Sequence, residues 1–314
     1  MLTDATIPQI PEFLRKLYPF RTRSLRVEGQ NMSFVDEGAS DAPVLLMLHG
    51  NPTWSFLYRK TIPKAAERFR VIAPDYVGFG LSDKPRTPGY HTLERHIANL
   101  TALIEALKLE KITFVMHDWG GPIGLGYATA HPENVERLLM INTWAFVPDA
   151  SFQLPLGLRL IRGPLGDLLM KKMNAMVTRG IPGGTCHKLP REVLAGYELP
   201  FANPQDRAAM TAFVRMIPLK GTDFEAPKMT EIAAGLRKIS APAEILWGAR
   251  DPVFRSKLTA YMLRDSFPNA GEPIFLPEAS HFVPEDAAEQ ITDKLLDIFK
   301  RKPPKPQQTF NILQ

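Results

Sequence analysis

Residues 112–124 read ITFVMHDWGGPIG, a sequence typical of a strand that runs through a tight turn into a helix. Its first five residues form a short, largely apolar run, which is typical of a strand buried on both faces. The two glycines that follow Trp119 let a helix begin close to the end of that strand, and such a turn lifts one side chain above the sheet. Here the lifted residue is Asp118. An aspartate at this point could also cap the helix, so the stretch alone leaves its role open.

The rest of the chain places this strand in an α/β sheet. A helical spacing of apolar residues at 93–109 separates two of the short apolar runs, and a closing amphipathic helix is predicted at 287–299. Alternation of this kind indicates parallel strands joined by crossover helices. Besides 112–116, strands are predicted at 43–48, 70–73, 138–141, 243–247 and 273–276.

Residues 144–238 break the alternation. They contain helical stretches separated by glycine and proline, and no clear strand. We interpret them as a helical cap inserted after the sixth strand, with 1–143 and 239–314 forming the core domain. Methionines in the cap fill irregular packing gaps more often than they build a site. The predicted fold is therefore an α/β-hydrolase fold: a mostly parallel eight-stranded sheet flanked by helices, with an inserted helical cap.

Composition excludes several classes of protein. The 314 residues are 45% hydrophobic and 23% charged, which is ordinary for a globular domain. The net charge of +5 owes much to a terminal run that contains Lys300, Arg301, Lys302 and Lys305, which we interpret as a solvated tail. Because no recognition motif accompanies the charge, nucleic-acid binding is not expected. The one cysteine, Cys186, excludes an intramolecular disulfide framework.

The sequence also bears on location. Residues 1–19 lack the basic start and apolar core of a secretory signal. No stretch reaches the roughly 20 apolar residues that cross a bilayer. We therefore predict a cytoplasmic protein without a transmembrane segment.

Polar residues follow three other predicted strands. His49 and Asn51 follow 43–48, Asp251 follows 243–247, and His281 follows 273–276. In an open α/β sheet the ligand site lies outside the carboxyl ends of the strands, so these loops are expected to converge. Their order along the chain, nucleophile, acid and histidine, is that of the α/β-hydrolase triad. This favours a catalytic Asp118 over a capping one.

Five segments carry a resemblance to a known family. They read HGNPTWSFLYR (49–59), APDYVGFGLSDKP (73–85), HDWGGPIG (117–124), LWGARDPVF (246–254) and ASHF (279–282). Together and in this order they resemble the haloalkane dehalogenases, a family within the α/β-hydrolases. The resemblance covers most of 24–300 apart from the cap. One departure is Met116, where many hydrolases have glycine.

The resemblance implies a mechanism. Asp118 would attack the halide-bearing carbon and form an alkyl-enzyme ester. His281 would then activate the water that hydrolyses the ester, and Asp251 would hold and stabilise the imidazole. Backbone amides of Asn51 and Trp119 would form the oxyanion hole. His49 and His117 are predicted to support the loops through hydrogen bonds.

The resemblance also implies a halide site. The indole N–H of Trp119 and the side-chain amide of Asn51 would bind the leaving halide. Some family members use a second tryptophan from the cap, but the cap here has none beyond Trp144. Others take the acid from the end of the sixth strand, where residues 141–144 contain no carboxylate, so the acid is assigned to Asp251.

Other functions stay open. An epoxide hydrolase shares the aspartate and triad but usually employs two cap tyrosines, and Tyr197 is the one tyrosine in 144–238. Haloacid-specific relatives place an arginine just after the nucleophile, where this chain has Trp119 and Pro122. A branch of the family with the same Asn, Trp and acid placement includes β-lactone decarboxylases of olefin synthesis, with identical catalytic residues. A non-catalytic binding protein is the alternative outside enzymes.

The predicted partners follow from this chemistry. They are a small apolar substrate, either a haloalkane or an alkyl β-lactone, together with halide and water. No cofactor and no metal are expected, since His49, His117 and His281 lack a metal-ligand spacing. The oligomeric state is left open, including a homo-oligomer.

Overall fold

The computed structural model describes residues 2–3, 10–87, 89–148, 152–255 and 257–300. The predicted solvated tail beyond residue 300 and most of the N-terminal segment lie outside these ranges. Within them, no helix is long and apolar enough to cross a membrane.

A single twisted sheet forms the centre of the described chain. Its strands are β1 (Leu2–Thr3), β2 (Thr22–Val27), β3 (Gln30–Glu37), β4 (Val44–Leu48), β5 (Arg70–Pro74), β6 (Ile112–Asp118), β7 (Val135–Thr143), β8 (Ala243–Gly248) and β9 (Ile274–Leu276). Their spatial order is β1-β2-β3-β5-β4-β6-β7-β8-β9. From β5 to β9 neighbouring strands are parallel, whereas β1, β2 and β3 join antiparallel. The carboxyl ends of β4, β6, β7, β8 and β9 therefore meet at one edge of the sheet.

Helices flank the sheet and fill the connection between β7 and β8. They are α1 (Glu12–Arg15), α2 (Ile62–Ala65), α3 (Leu93–Ala106), α4 (Gly120–Ala130), α5 (Leu156–Arg162), α6 (Gly166–Met173), α7 (Ile181–Gly183), α8 (Arg191–Glu198), α9 (Ala208–Met216), α10 (Ala226–Gly235), α11 (Leu258–Ser266), α12 (Val283–Asp286) and α13 (Ala288–Lys300). Met176–Gly180 is a π-helix, and short 3-10 turns occupy Ser55–Tyr58, Pro132–Asn134, Leu199–Phe201, Pro204–Arg207 and Leu236–Lys238.

The predicted fold class is confirmed, although the described sheet has nine strands rather than the predicted eight, because the two-residue strand β1 extends its antiparallel edge. The six predicted strands correspond to β4 to β9. Residues 44–48, 112–118 and 135–143 are buried almost throughout, as their apolar runs require. The hairpin of β2 and β3 was not predicted. Its turn lies at Glu28 and Gly29, both with positive φ, and its strands mix buried and polar positions. Without a continuous apolar run, the pattern that identified the parallel strands does not apply to it.

The connection between β7 and β8 is helical, and its parts face different neighbours. Helices α5, α6 and α9 pack against one another. Helix α10 instead packs on α4, where Ile232 approaches Gly126 and Thr129 approaches Gly235. The first three helices are thus the ones placed to cover the carboxyl edge of the sheet.

Candidate active site

Asp118 ends β6 in a left-handed backbone conformation, with φ +49°. Such a conformation is costly for a residue with a side chain and points to function. The backbone amide of Asn51 donates to Oδ1 of Asp118 at 2.9 Å, and the Thr143 hydroxyl donates to the Asp118 carbonyl at 2.5 Å. Asn51 follows β4 and Thr143 ends β7, and between them they bond the carboxylate and the main-chain carbonyl of Asp118. The carboxylate is therefore fixed at the edge of the sheet.

Two glycines allow this turn to be so tight. A Cβ at Gly50 would overlap the Asp118 side chain, and one at Gly120 would overlap the Leu48 carbonyl. Met116 replaces the glycine that many hydrolases have two residues before the nucleophile. Its side chain fits under α4 because Gly124 has no Cβ to obstruct it. The departure therefore leaves the turn intact.

His281 and Asp251 form an ordered pair beside this carboxylate. Nδ1 of His281 lies 2.9 Å from Oδ2 of Asp251, and Nε2 lies 3.7 Å from Oδ2 of Asp118. The second distance is too long for a hydrogen bond, so the imidazole faces Asp118 without holding it. Oδ1 of Asp251 accepts from the backbone amides of Val253 and Phe254.

Burial and charge set the pKa values of these three groups. Burial raises the pKa of Asp118, against the opposing effects of His281 and the amides of Trp119 and Asn51. Burial disfavours a charged His281, but Asp251 and Asp118 outweigh it and raise the imidazole pKa above 6.5. Asp251 is also buried, yet His281 and Asn142 hold its pKa below the ordinary value. The pair therefore favours a carboxylate at 251 and a basic imidazole at 281.

Two further histidines support the loops, as their positions suggested. Nε2 of His49 accepts from the Tyr76 amide at 3.1 Å, and Nε2 of His117 donates to the His281 carbonyl at 2.9 Å. Burial lowers the pKa of His49 to about 4 and that of His117 to about 3. Both rings are consequently neutral near pH 7 and act as fixed hydrogen-bonding groups.

A cavity of about 650 Å³ opens above Asp118. Asn51, Asp118, Trp119 and His281 line it on the sheet side. Asp118 is the one acidic side chain among the described residues that line it. The facing residues from the β7–β8 connection are mainly apolar and include Phe152, Leu154, Leu158, Ile161, Met176 and Val214. A cavity of this composition suits a small apolar molecule that presents one electrophilic carbon to Asp118.

Comparison with known proteins gives this arrangement a family. A family model for the α/β hydrolase fold matches residues 43–160. The chain is 37% identical over 284 residues to a cis-3-alkyl-4-alkyloxetan-2-one decarboxylase of Shewanella oneidensis, which covers 88% of each chain. It is 34% identical to haloalkane dehalogenase 2 of Mycobacterium tuberculosis, over 90% of this chain and 96% of that one. This chain belongs to the haloalkane dehalogenase family of α/β-hydrolases.

Solved structures of the family share its architecture. The crystal structure of a haloalkane dehalogenase from Bradyrhizobium elkani superposes with a TM-score of 0.83 at 27% identity. That match covers 90% of this chain and 98% of the other.

The two side chains that the family resemblance assigns to halide differ in their contacts. Trp119 packs edge-to-face on Trp144 with ring centroids 5.0 Å apart, and within the described ranges its indole N–H has no hydrogen bond. The Asn51 amide nitrogen donates to the Met210 carbonyl at 3.1 Å and lies 3.7 Å from Sδ of Met176. Since an amide has two N–H groups and a thioether is a weak acceptor, one N–H of Asn51 can turn to a ligand when Met176 gives way.

Tyr197 lies outside the cavity of this family member. It is fully buried, and its hydroxyl donates to Glu285, which also pairs with Arg59. Among the described residues, no tyrosine lines the cavity. A cap tyrosine that protonates an epoxide oxygen is therefore not present in this part of the chain.

The sequence did not predict the role of Asn142, whose side chain joins β7 to Asp251. Nδ2 of Asn142 donates to Oδ2 of Asp251 at 2.6 Å, and Oδ1 of Asn142 accepts from the Gly248 amide at 2.7 Å. Asn142 is fully buried with φ +38°. In the sequence, residues 141–144 indicate only that this strand end lacks a carboxylate. The place of Asn142 at the end of the strand beside β8 was the signal that could have found it.

Proposed function

We propose that this protein is a haloalkane dehalogenase in which Asp118 is the nucleophile, His281 the base and Asp251 its acid partner. One observation carries the proposal. Oδ1 of Asp118 accepts from the Asn51 amide, whereas Oδ2 faces His281 in an apolar cavity. Oδ2 is thus the oxygen free to attack carbon. The dehalogenases among the relatives support this choice of reaction.

The first step is a displacement at carbon. Oδ2 of Asp118 donates an electron pair to the halide-bearing carbon, the C–O bond forms, and the carbon–halogen bond breaks as halide takes its pair. The apolar walls keep the cavity poor in competing donors, which strengthens the remaining electrostatic contacts. Trp119 and Asn51 supply N–H groups for the departing anion.

The second step is hydrolysis of the ester. Nε2 of His281 takes a proton from water, and the oxygen of that water adds to the carboxyl carbon of Asp118. Negative charge develops on Oδ1, where the amides of Asn51 and Trp119 stabilise it. The bond between the carboxyl carbon and Oδ2 then breaks as the protonated His281 returns its proton to Oδ2, and the proton left on the new carboxyl oxygen is lost to solvent. The alcohol leaves with Oδ2, and Asp118 regains its carboxylate with one oxygen from water.

The domain division belongs to the same proposal. Residues 144–238 act as the cap that selects the substrate, and 1–143 with 239–314 act as the catalytic core. The apolar side chains that face Asp118 from α5, the π-helix and α9 support this assignment. A cytoplasmic location and a homo-oligomer remain predictions.

Trapping the ester tests the proposal. The variant His281→Phe should react with 1-bromohexane once, release one bromide per chain and retain a hexyl group, because attack does not need the base. Intact-protein mass measures the adduct, and peptide mapping locates it. The double variant Asp118→Asn/His281→Phe is the matched control and should gain no mass. A hexyl group on any residue other than Asp118 contradicts the proposal.

A second function is favoured by the relative from Shewanella oneidensis, whose name denotes decarboxylation of a dialkyl β-lactone. Such a ring also offers an electrophilic carbon to Oδ2 of Asp118, and its products are an alkene and carbon dioxide. Incubating the parent protein separately with 1-bromohexane and with a cis-dialkyl β-lactone distinguishes the two. Bromide release alone supports the dehalogenase, whereas alkene release alone supports the decarboxylase.

A further inference from the structure

The mouth of the cavity is marked by side chains that both line it and face solvent. Leu160 on α5, Met173 on α6 and Leu258 on α11 line the cavity and are exposed. Arg179 and Arg255 line it and are exposed as well. The opening therefore lies between α5, α6, the π-helix and the start of α11.

Apolar exposure continues beyond the opening. Leu156 is 69% exposed and lies one helical turn before Leu160 on α5. Leu168 is 54% exposed and lies one turn after exposed Leu165, at the start of α6. Helices α5 and α6 pack against each other, and both reach the same opening through Leu160 and Met173. We call this surface the mouth patch: Leu156, Leu160, Leu165, Leu168, Met173 and Leu258.

An apolar surface of this extent is unusual on a protein that has no partner there. Six of the ten large apolar side chains that are exposed in the described chain belong to the mouth patch. Three of these six, Leu160, Met173 and Leu258, line the cavity, whereas none of the remaining four, Phe13, Phe224, Tyr261 and Ile274, does. The concentration around one opening indicates a docking surface rather than scattered exposure.

Basic side chains surround the patch. Arg159 lies on the same exposed face of α5 as Leu156, and Lys172 lies on the same exposed face of α6 as Leu168. Within the described ranges no carboxylate pairs with either of them, or with Lys171, Arg179 or Arg255. The exposed acid of α6, Asp167, is paired with Arg215. The face is consequently apolar at its centre and positive at its rim.

The positive charge at the rim determines which partner this face can bind. In a symmetric dimer the patch would meet a second copy of itself and bring ten cations together, which like-charge repulsion disfavours. An anionic lipid surface offers apolar chains to the leucines and negative headgroups to the rim. We propose that the mouth patch docks this protein on anionic membranes, with the cavity opening onto the lipid.

Docking of this kind gives the cavity access to apolar molecules where they are most concentrated. A haloalkane or alkyl β-lactone partitions into the bilayer, so a mouth that rests on lipid receives substrate without passage through water. Only this delivery of substrate from the bilayer rests on the proposed function. Binding itself depends on the patch and its rim, and it is measured without any turnover.

Vesicle co-sedimentation tests the proposal. The full-length protein should bind vesicles of equal parts phosphatidylglycerol and phosphatidylcholine, bind pure phosphatidylcholine far less, and dissociate in molar salt. Leu156→Ser/Leu168→Ser and Arg159→Glu/Lys172→Glu should each weaken binding. Each basic residue near an anionic surface contributes about fivefold to partition, so the charge reversal should cost at least about 25-fold.

Matched controls separate the patch from exposure in general. Phe224→Ser removes an apolar side chain that is 82% exposed, and Lys64→Glu reverses a basic residue on α2. Both should bind vesicles like the parent. The substituted residues of all four variants lie outside the cavity lining, so each should retain its circular dichroism spectrum and its turnover of a water-soluble substrate.

Two results overturn the proposal. One is parent protein that stays in the supernatant with both kinds of vesicle. The other is binding that the patch and rim substitutions leave unchanged. Light scattering adds a diagnostic: if the patch substitutions reduce the mass of an oligomer and vesicle binding is absent, the face joins copies of this chain instead. A failed adduct on Asp118 would leave these measurements unaffected, so the two proposals fail separately.

Discussion

At the scale of single residues, the charge of Asp118 changes the basicity of His281 during turnover. The carboxylates of Asp251 and Asp118 together raise the imidazole pKa against the effect of burial. Esterification removes the charge on Asp118, so the pKa of His281 falls as the intermediate forms. A larger fraction of His281 is therefore neutral in the intermediate, and the neutral form is the one that accepts a proton from water. Ester hydrolysis should accordingly become faster as pH rises through this lowered pKa.

Removing either carboxylate should lower the basicity of His281. Asp118→Asn should lower the pKa of His281, and Asp251→Asn should lower it further, because Asp251 supplies both a charge and a hydrogen bond. Titration of the imidazole by NMR measures both. Asp167→Asn removes an exposed acid paired with Arg215 and should leave the titration unchanged. An unchanged His281 in Asp118→Asn would refute the coupling.

Asn142 holds Asp251 and the Gly248 amide through its side-chain amide group. Asn142→Gly should reduce the free energy of unfolding by about 1–3 kcal/mol, since Asp251 loses a donor and the Gly248 amide loses an acceptor. Glycine tolerates the φ of +38°, so the loss reports the hydrogen bonds rather than backbone strain. Denaturant unfolding measures it. Asn269→Gly, which removes a donor to Ser240 near the surface, should cost much less.

The sequence predicted five polar residues at this edge, and the structure brings all five together. Asp118, Asp251, His281, Asn51 and Trp119 lie at or just after the ends of strands that the apolar runs predict. The hydrogen bonds of Asn51 to Met210 and of Asn142 to Asp251 could not be predicted. They depend on side-chain rotamers and on contacts across more than a hundred residues, which no local pattern encodes.

At the scale of elements, the turn between β6 and α4 depends on close backbone approach. Gly120→Ala should reduce the free energy of unfolding by about 1–3 kcal/mol, because the new Cβ would overlap the Leu48 carbonyl, which belongs to a central strand. Thermal or denaturant unfolding checks this. The matched control is Gly221→Ala, where a Cβ meets no atom within 4 Å. Equal stability of both variants would show that the turn adapts.

Among the strands, those that carry a continuous apolar run were the ones that sequence could predict. β4, β6 and β8 appear as apolar runs with bounds close to the observed ones. The hairpin of β2 and β3 joins the sheet at an antiparallel edge, where polar residues such as Arg23 alternate with buried ones. Its identity depends on pairing with β5, a contact that the local pattern does not contain.

At the scale of the whole molecule, a buried ionic cluster joins the segment after His281 to the loop after β4 and to the β7–β8 connection. Glu285, four residues after His281, pairs with Arg59 from the loop after β4 and accepts from Tyr197 of α8. Lys60 adds a contact to the Glu285 carboxylate at 3.0 Å. The cluster joins segments more than 80 residues apart, so it could not be found from sequence.

Removing the central charge should destabilise the fold. Glu285→Gln leaves Arg59 buried without a counterion, so the free energy of unfolding should fall by about 3–5 kcal/mol near pH 7. Burial disfavours the charged Glu285, but Arg59 and Tyr197 outweigh it and lower its pKa below 4.5. Its stabilisation is therefore present above pH 4.5 and is lost as pH falls through the folded pKa.

Denaturant unfolding across pH tests this. The difference in the free energy of unfolding between the parent and Glu285→Gln should be largest at neutral pH and should become smaller in acid. Glu67→Gln removes an exposed partner of Lys64 and should change stability little at any pH. A difference that stays constant into acid would mean that Glu285 acts through packing alone.

The central claim is that an oxygen of Asp118 becomes bonded to the substrate carbon in every turnover. A single turnover in water enriched in heavy oxygen, with protein in excess over 1-bromohexane, tests it most directly. The account predicts that the alcohol carries ordinary oxygen and that the peptide containing Asp118 gains one heavy oxygen. Alcohol labelled from the solvent, with an unlabelled peptide, would contradict it.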